Sequence, residues 1–351
     1  MTNIGKKKIL FIIGSLNQTT QMHQIADRLP DYDVYFSQLF SNNPFIKIAV
    51  KLGLLNSTVL SGTFKKKSEQ YLAENNLAND YAVKQFDNDY SLVVFCSDLL
   101  IPSKLKGHKT IWVQEGMTDP ITPWGKLVHF LRLPTYIALN TAFNGCSNIC
   151  DIYCAASTGY KKQFASLGTN EEKIFVTGIP NYDNIDSFVQ NDFPYHDYVM
   201  VATSDARETG KIDNREKFII NCLKISNGRR LIFKLHPNEK KDRAIAEIKK
   251  FTPSDTLIYT EGNINHMIAN CAELITQYST VVYTGIALRK KVYSYFDIEK
   301  LNSLAPIQNQ GSSASNIAKI CREFIEYKGK PIDFLASKQI TQISSSFIQT
   351  S

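Results

Sequence analysis

The 351 residues contain no Cys-x-x-Cys pair, although there are seven cysteines. The tightest grouping, Cys146, Cys150 and Cys154, has a four-residue spacing and no histidine beside it. Its last member falls in an expected strand, so ordinary buried thiols are expected rather than a metal cluster. An odd, dispersed cysteine count points to a reducing compartment. No uninterrupted apolar run reaches the roughly 20 residues of a spanning helix. The polar stretch Met1 to Lys8 has no apolar h-region, and a cytoplasmic protein is expected. Walker A, GxSxG and HExxH motifs are all missing. Gly14 stands alone where a dinucleotide fingerprint would place three glycines, which argues against NAD. Two Asp-x-Asp triplets, Asp31-Tyr32-Asp33 and Asp87-Asn88-Asp89, precede expected strands at the end away from a ligand cleft. They read as solvated turn acids, and no metal is expected.

An apolar fraction of 43% and a charged fraction of 21% are those of a soluble globular protein, and the length allows two ordinary domains. The net charge of +7 suits nucleotides, nucleic acid or an anionic membrane surface without selecting among them. Nucleic acid is not expected as a partner, because the lysines are dispersed and no recognised module occurs.

The chain alternates strand-like apolar runs with helical spacing. Lys8 to Ile13 reads as a strand and Asn17 to Leu29 as a helix. Short strands follow at Tyr32 to Phe36, Ser91 to Phe95, Lys109 to Val113, Asp151 to Ala155 and Lys173 to Pro180. Trp124 to Phe143 reads as helical. The polar segment Asn181 to His196, punctuated by Pro194, reads as a linker. The rhythm then restarts with strands at Tyr198 to Thr203, Arg230 to Leu235, Thr256 to Tyr259, Glu273 to Thr276 and Lys291 to Phe296. Ser315 is a plausible N-cap for a final helix to about Tyr327, and Ser344 to Ser351 reads as a frayed end. The fold class is therefore α/β, two Rossmann-like domains facing a cleft. The expected boundaries are 1–185, 186–315 and 316–351.

In open α/β sheets ligands bind beyond the carboxyl ends of the strands. His236 stands there, because Pro237 stops the run Leu231 to Leu235. Its two readings are a phosphate or proton contact and a water-facing polar residue. Glu115 ends another strand, with Gly116 allowing a tight turn. It reads as a candidate base or as a plain loop carboxylate, with Asp119 as the neighbouring alternative. Ser279 and Thr280 open a helix and fit either a phosphate or simple capping. Thr203-Ser204 is a similar, weaker signal.

These motifs together resemble GT-B fold glycosyltransferases. The nearest likeness is to bacterial cell-surface polymer enzymes of the CDP-glycerol glycerophosphotransferase and the sialyl- or Kdo-transferase type, with UDP-GlcNAc 2-epimerases as relatives. His236-Pro237 is similar to their HP motif, Gln114-Glu115-Gly116 to an acidic-acidic-Gly motif, and Gln277 to Thr280 to a phosphate-holding serine pair. Phe175 to Asp183 is similar to a shared interdomain segment. The resemblance implies a metal-independent glycosyltransferase without a cofactor, with a nucleotide-activated sugar as donor. Glu115 and His236 would be catalytic. Thr203, Ser204, His236, Pro237, Tyr278, Ser279 and Thr280 would hold the donor nucleotide or phosphate. Gly14, Ser15, His23 and Asp119 would lie on the acceptor side. The acceptor would be a growing surface polysaccharide or a lipid-linked saccharide, and the final helix would cross back onto the first domain. Departures from the pattern are Gln114 in place of the first acid and Tyr283 to Ala287 without the epimerases' acidic stretch. A 2-epimerase-like isomerase and a non-catalytic sugar-nucleotide binding protein remain as alternatives.

Asn43 to Leu60 interleaves apolar residues with Lys47 and Lys51, and Lys65-Lys66-Lys67 follows. Two readings stand for this stretch. It is either a core helix with a solvated lysine face or an amphipathic helix at the inner face of the cytoplasmic membrane.

Overall fold

The computed structural model describes residues 5–41, 43–55, 58–80, 89–102, 107–138, 140–208 and 212–338. Asp87-Asn88 and the Ser344 to Ser351 end lie outside them. The chain divides into two compact units, one of residues up to Asp183 and from Asn309 onward, the other Asn184–Gln308. The sequence had suggested crossings after 185 and 315.

In the first unit β1 (Lys8–Ile13), β2 (Asp33–Gln38), β3 (Leu92–Phe95), β4 (Thr110–Val113), β5 (Ile152–Ala155) and β6 (Ile174–Val176) form one sheet in the order β2-β1-β3-β4-β5-β6. Every pairing is parallel. The runs Leu92–Phe95, Thr110–Val113 and Ile152–Ala155 are buried along their whole length. That is why they read as unbroken apolar segments: helices cover both faces of a parallel sheet. The connecting helices are α1 (Leu16–Ala26), α2 (Pro44–Lys51), α3 (Gly62–Glu74), α4 (Pro123–Phe130) and α5 (Thr158–Ser166).

The second unit repeats the plan. Strands β7 (Val199–Ala202), β8 (Leu231–Lys234), β9 (Leu257–Tyr259), β10 (Glu273–Thr276) and β11 (Lys291–Tyr293) lie in the order β11-β10-β7-β8-β9, again parallel. Their helices are α6 (Arg215–Ser226), α7 (Lys241–Phe251), α8 (Ile264–Asn270), α9 (Val282–Ala287) and α10 (Ile298–Leu304). The last of these, capped by Asp297 through Glu299 and Lys300 N–H, has no counterpart in the sequence reading.

The chain then returns to the first unit as α11 (Ser313–Glu326), which packs on α1. Its apolar stripe of Ile317, Cys321 and Phe324 joins the core formed by Ile9, Phe11 and Ile13. Ser315 is not its cap. The cap position is Ser312, which makes no side-chain capping bond. The Asp183 carboxylate accepts instead from Asn309 N (2.5 Å) and Ser313 N (2.6 Å). A carboxylate from a distant loop thus satisfies the N–H of the helix's first residue, Ser313, and suits the helix dipole.

Two expected long helices are short. Among the described residues of the Asn43 to Leu60 stretch the helix ends at Lys51, and a left-handed Gly53 follows. In the Trp124 to Phe143 stretch the α-helix ends at Phe130, and a separate 3-10 turn spans Thr135–Ala138. Just past Phe130, Arg132 takes the left-handed conformation (φ 53°) and Leu133 N bonds Val128 O at 3.0 Å, a helix-ending closure that periodicity cannot reveal. No helix among the described residues is long and apolar enough to cross a membrane.

Candidate functional site

The chain turns at the carboxyl end of β4 through Gln114-Glu115-Gly116. Gln114 is buried, and its amide works in both directions. Oε1 accepts from Ala156 N (2.8 Å) and Nε2 donates to Gly116 O (2.8 Å). A carboxylate could not make the second bond, which explains an amide where the resembling motif has an acid. Glu115 is partly exposed. Its Oε1 accepts from Ser15 Oγ (3.0 Å) and Asn17 Nδ2 (3.1 Å), and its Oε2 from Gln18 Nε2 (2.6 Å). All three partners are uncharged and come from the start of α1, which Ser15 caps through Gln18 N. Ser15-x-x-Gln18 is a capping-box spacing, but the Gln18 side chain goes to Glu115 rather than back to the cap. Asn181 extends the arrangement. Its Nδ2 donates to Asn17 Oδ1 (2.8 Å), and its Oδ1 accepts from Gln24 Nε2 (2.6 Å). Beneath lies Cys96, whose thiol is pushed well up by burial and then by the Glu115 charge.

Of the expected acceptor-side residues, only Ser15 touches Glu115. Gly14 is filled from above: a Cβ there would meet Val59 Cβ at 2.6 Å, so its role is close packing. His23 lies eight residues along α1, about 12 Å by helical rise. It is engaged with Tyr71 Oη (3.0 Å) and Asp27 Oδ1 (3.3 Å). Asp119 clasps the loop to Thr141, accepting from its N (3.0 Å) and Oγ1 (2.8 Å).

In the second unit β8 ends at Lys234, and His236-Pro237-Asn238-Glu239 forms a turn closed by Glu239 N to His236 O (3.0 Å). Pro237 sits at the second turn position, which its fixed φ favours. Pro237 thus shapes the backbone of the turn. His236 N donates to Thr203 Oγ1 (3.1 Å) and Glu239 Oε2 (3.0 Å). Its ring Nδ1 accepts from Asn238 N (3.2 Å), so the neutral ring carries its proton on Nε2. Asp205 Oδ2 is 3.6 Å from the same Nδ1. That contact becomes an ion pair only if the ring is protonated, which would break the Asn238 bond. The shorter bond from Asn238 Nδ2 to Asp205 (2.9 Å) accounts for this carboxylate.

A closed ring of buried polar groups lies under this turn. Glu239 accepts from Thr203 Oγ1 and from Arg215 Nη2 (2.5 Å). Arg215 Nε lies 3.2 Å from Asp213 Oδ2. Asp213 Oδ1 accepts from Gln277 Nε2 (2.7 Å), and Gln277 Oε1 accepts from Ser204 Oγ (3.1 Å). The Asp213, Arg215 and Glu239 side chains are at most 4% exposed. The ring ties the ends of β7, β8 and β10 together. It also commits the Thr203 and Ser204 hydroxyls inward, so in this conformation they are scaffold rather than ligand groups. Asp213 and Arg215 were missed because nothing local marks them. Glu239 carries the one available signal, an acid two residues past His-Pro.

Ser279 and Thr280 do not cap α9. The cap position is Val281, without a side-chain bond, while the carbonyls of Ser279 and Thr280 accept from Val282 N (3.3 Å) and Tyr283 N (3.0 Å). Tyr278 is half-exposed and meets Tyr295 and Phe296 edge-on at 5.3 and 5.2 Å. All seven cysteines are buried and free. Burial pushes the Cys154 thiol up to about 12 and raises Cys146 and Cys150 as well. Among the described residues no group of three or more His, Cys, Asp or Glu side chains is placed to hold a metal ion.

No protein-family model matches the chain, and no curated protein matches it. Solved structures do. A Listeria monocytogenes protein provisionally assigned as a UDP-N-acetylglucosamine 2-epimerase aligns over 99% of this chain and 98% of its own, at 14% identity and a TM-score of 0.50. The UDP-GlcNAc 2-epimerase of Neisseria meningitidis, solved with UDP-GlcNAc, covers 90% of this chain and 100% of its own, at 11% identity and a TM-score of 0.53. The wall teichoic acid polymerase TagF covers 99% of this chain and 90% of its own, at 14% identity. Its TM-score of 0.43 is too low to carry an argument. The likeness to the epimerases spans both units, and it identifies the fold as two Rossmann-like domains of the GT-B type.

Proposed function

We propose that this GT-B-fold chain is a glycosyltransferase, moving a sugar or sugar-like group from a nucleotide-activated donor to a growing surface polysaccharide or glycolipid. The supporting observation is Glu115, a partly exposed carboxylate at a strand's carboxyl end whose three partners are all uncharged donors. It is oriented without being neutralised by a cation, which suits a base. In the reaction the acceptor hydroxyl gives its proton to Glu115 as its oxygen bonds to the anomeric carbon. The bond from that carbon to the donor phosphate breaks, and the electron pair leaves with the phosphate. His236 Nε2–H would donate to the departing oxygen. Tyr278, Ser279 and Thr280 are the remaining candidates for holding the nucleotide. No metal or cofactor takes part in this reading.

The first test is a thermal-shift screen with CMP-, CDP-, UDP- and GDP-linked sugars. A ligand of the native state at a hundredfold excess over Kd adds about 2.7 kcal/mol. With the donor found, Glu115→Gln is expected to reduce transfer by about 10²- to 10⁴-fold, with a thermal melt checking that the variant is folded. Undiminished transfer sinks the base assignment. The isomerase alternative is separated by incubating the protein with UDP-GlcNAc alone, where formation of the 2-epimer without any acceptor would replace the transferase reading. A non-catalytic binder would show the thermal shift and no turnover with any acceptor.

A further inference from the structure

Helix α2 has no buried residue. Ile46, Ala49 and Val50 are half-buried toward the unit, while Phe45 (79%), Ile48 (56%) and Leu52 (68%) face outward. Apart from Lys47 and Lys51 the helix is apolar, and its outward apolar side chains are covered by no core among the described residues. Helix α4 is similar. Only Gly125 and Val128 are buried, and Trp124, Leu127, Phe130 (81%) and Leu131 are exposed. Monomeric proteins rarely leave so many large apolar side chains in one place.

The two helices belong to one face. Both follow carboxyl ends of strands in the first sheet, β2 and β4. Both also border one groove of about 890 Å3, lined by Phe40 and Ile46 beside α2 and by His129, Arg132 and Leu133 at the end of α4. The charge carried by the two helices has one sign, and the acid that lines the groove, Asp98, is 2% exposed and bonded to Gly145 N and Ser147. Residues 34–68 and 120–150 contain no aspartate or glutamate, while Lys47, Lys51, Lys126 and Arg132 stand among the exposed apolar groups. Trp124 has its indole N–H bonded to Ile137 O (3.0 Å) and its ring half-exposed.

We propose that this face of the first unit docks on an anionic lipid bilayer, with Phe45, Ile48, Leu52, Trp124 and Phe130 entering the headgroup boundary and the basic side chains meeting lipid phosphates. Exposed apolar groups interspersed with cations, on helices that carry no acid, complement such a surface. A protein partner of ordinary mixed charge would leave the cations uncompensated. Docking would occur at the same end of the sheet as Glu115. The inference does not depend on the transfer reading, because bilayer binding is measured without substrate.

The experiment is flotation of the full chain with phosphatidylcholine vesicles, with and without about 30% phosphatidylglycerol. Binding is expected to the anionic vesicles and to weaken with salt. Phe45→Ser with Phe130→Ser should lower the partition at least about tenfold. Lys47→Ala with Lys51→Ala should lower it about fivefold for each charge removed. These side chains are exposed, so an unchanged melting temperature is expected and checked for each variant. The proposal is overturned if the wild type ignores anionic vesicles, or if the serine variant floats as well as the wild type. It is also overturned if the wild type is a dimer in lipid-free solution that the same substitutions split, since a second copy then covers the face.

Discussion

At the end of β4, Glu115 is held by one hydroxyl and two amides and stays open to water. At the end of β8, His236 stands on a buried ring in which Arg215 is paired with Asp213 and Glu239. The two units share a topology, yet they fix their strand-end residues by different physics. Neutral donors orient Glu115 at modest energetic risk, each hydrogen bond to a charge contributing about 1.5–3 kcal/mol. Buried charges are costly unless each is matched, so removing one partner exposes the cost of the others. The first arrangement leaves a carboxylate available for chemistry. The second fixes the backbone that presents an imidazole.

Arg215→Met is the severest challenge to this contrast. It leaves Glu239 buried without its cation and Asp213 with only Arg207, 3.6 Å away, and should lower the stability of the second unit by about 3–5 kcal/mol. Gln18→Ala should cost about 1.5 kcal/mol or less, because Glu115 can turn to water. Denaturant unfolding of both variants measures the difference, and equal midpoints would erase it.

Gln114→Glu sharpens the first site. The substitution removes the donor to Gly116 O and places a carboxylate among buried groups, for an expected loss of about 1–3 kcal/mol in thermal melts. A neutral outcome would show that the amide's two bonds do not matter.

The smallest effect concerns acid. Arg207 hydrogen-bonds Glu247 and holds its carboxyl below the ordinary 4.5. That contribution is present above the unfolded value and lost as pH falls through the lower folded one. In the first unit burial raises Asp98 above the ordinary 3.8, opposed by bonds from Ser147 and Gly145. Its contribution is full below the unfolded value and lost as pH rises through the folded one. Acidification should therefore weaken the second unit and relieve the first, by about 1 kcal/mol or less for the partly exposed Glu247 pair. Melts of Glu247→Gln and Asp98→Asn at neutral and acid pH should shift in opposite directions relative to the wild type.

The strands were legible because a doubly covered parallel sheet demands unbroken apolar runs, and Lys8–Ile13 and Glu273–Thr276 are read to the residue. The placement of His236 and Glu115 was equally local, since a proline or a glycine ends each run. Helix length was not legible at α2 and α4. Their apolar periodicity continues past the left-handed Gly53 and Arg132, and backbone conformation, not side-chain pattern, stops them. Nor was the company each site keeps. Glu115 meets Ser15, Asn17 and Gln18 across 97 to 100 residues of chain, and α11 takes its cap from Asp183 across 130. The sequence by itself determined where the strands lie and which reactive side chain follows β4 and β8, because those depend on neighbours in the chain, although β6 and β11 stop at Val176 and Tyr293, short of the expected Pro180 and Phe296. Only the tertiary structure decided that Thr203 and Ser204 turn inward and that Gly14 lies under Val59. It also decided that Phe45 and Phe130 remain uncovered. Hydrogen bonds and burial are settled by what packs alongside, and these partners come from far along the chain.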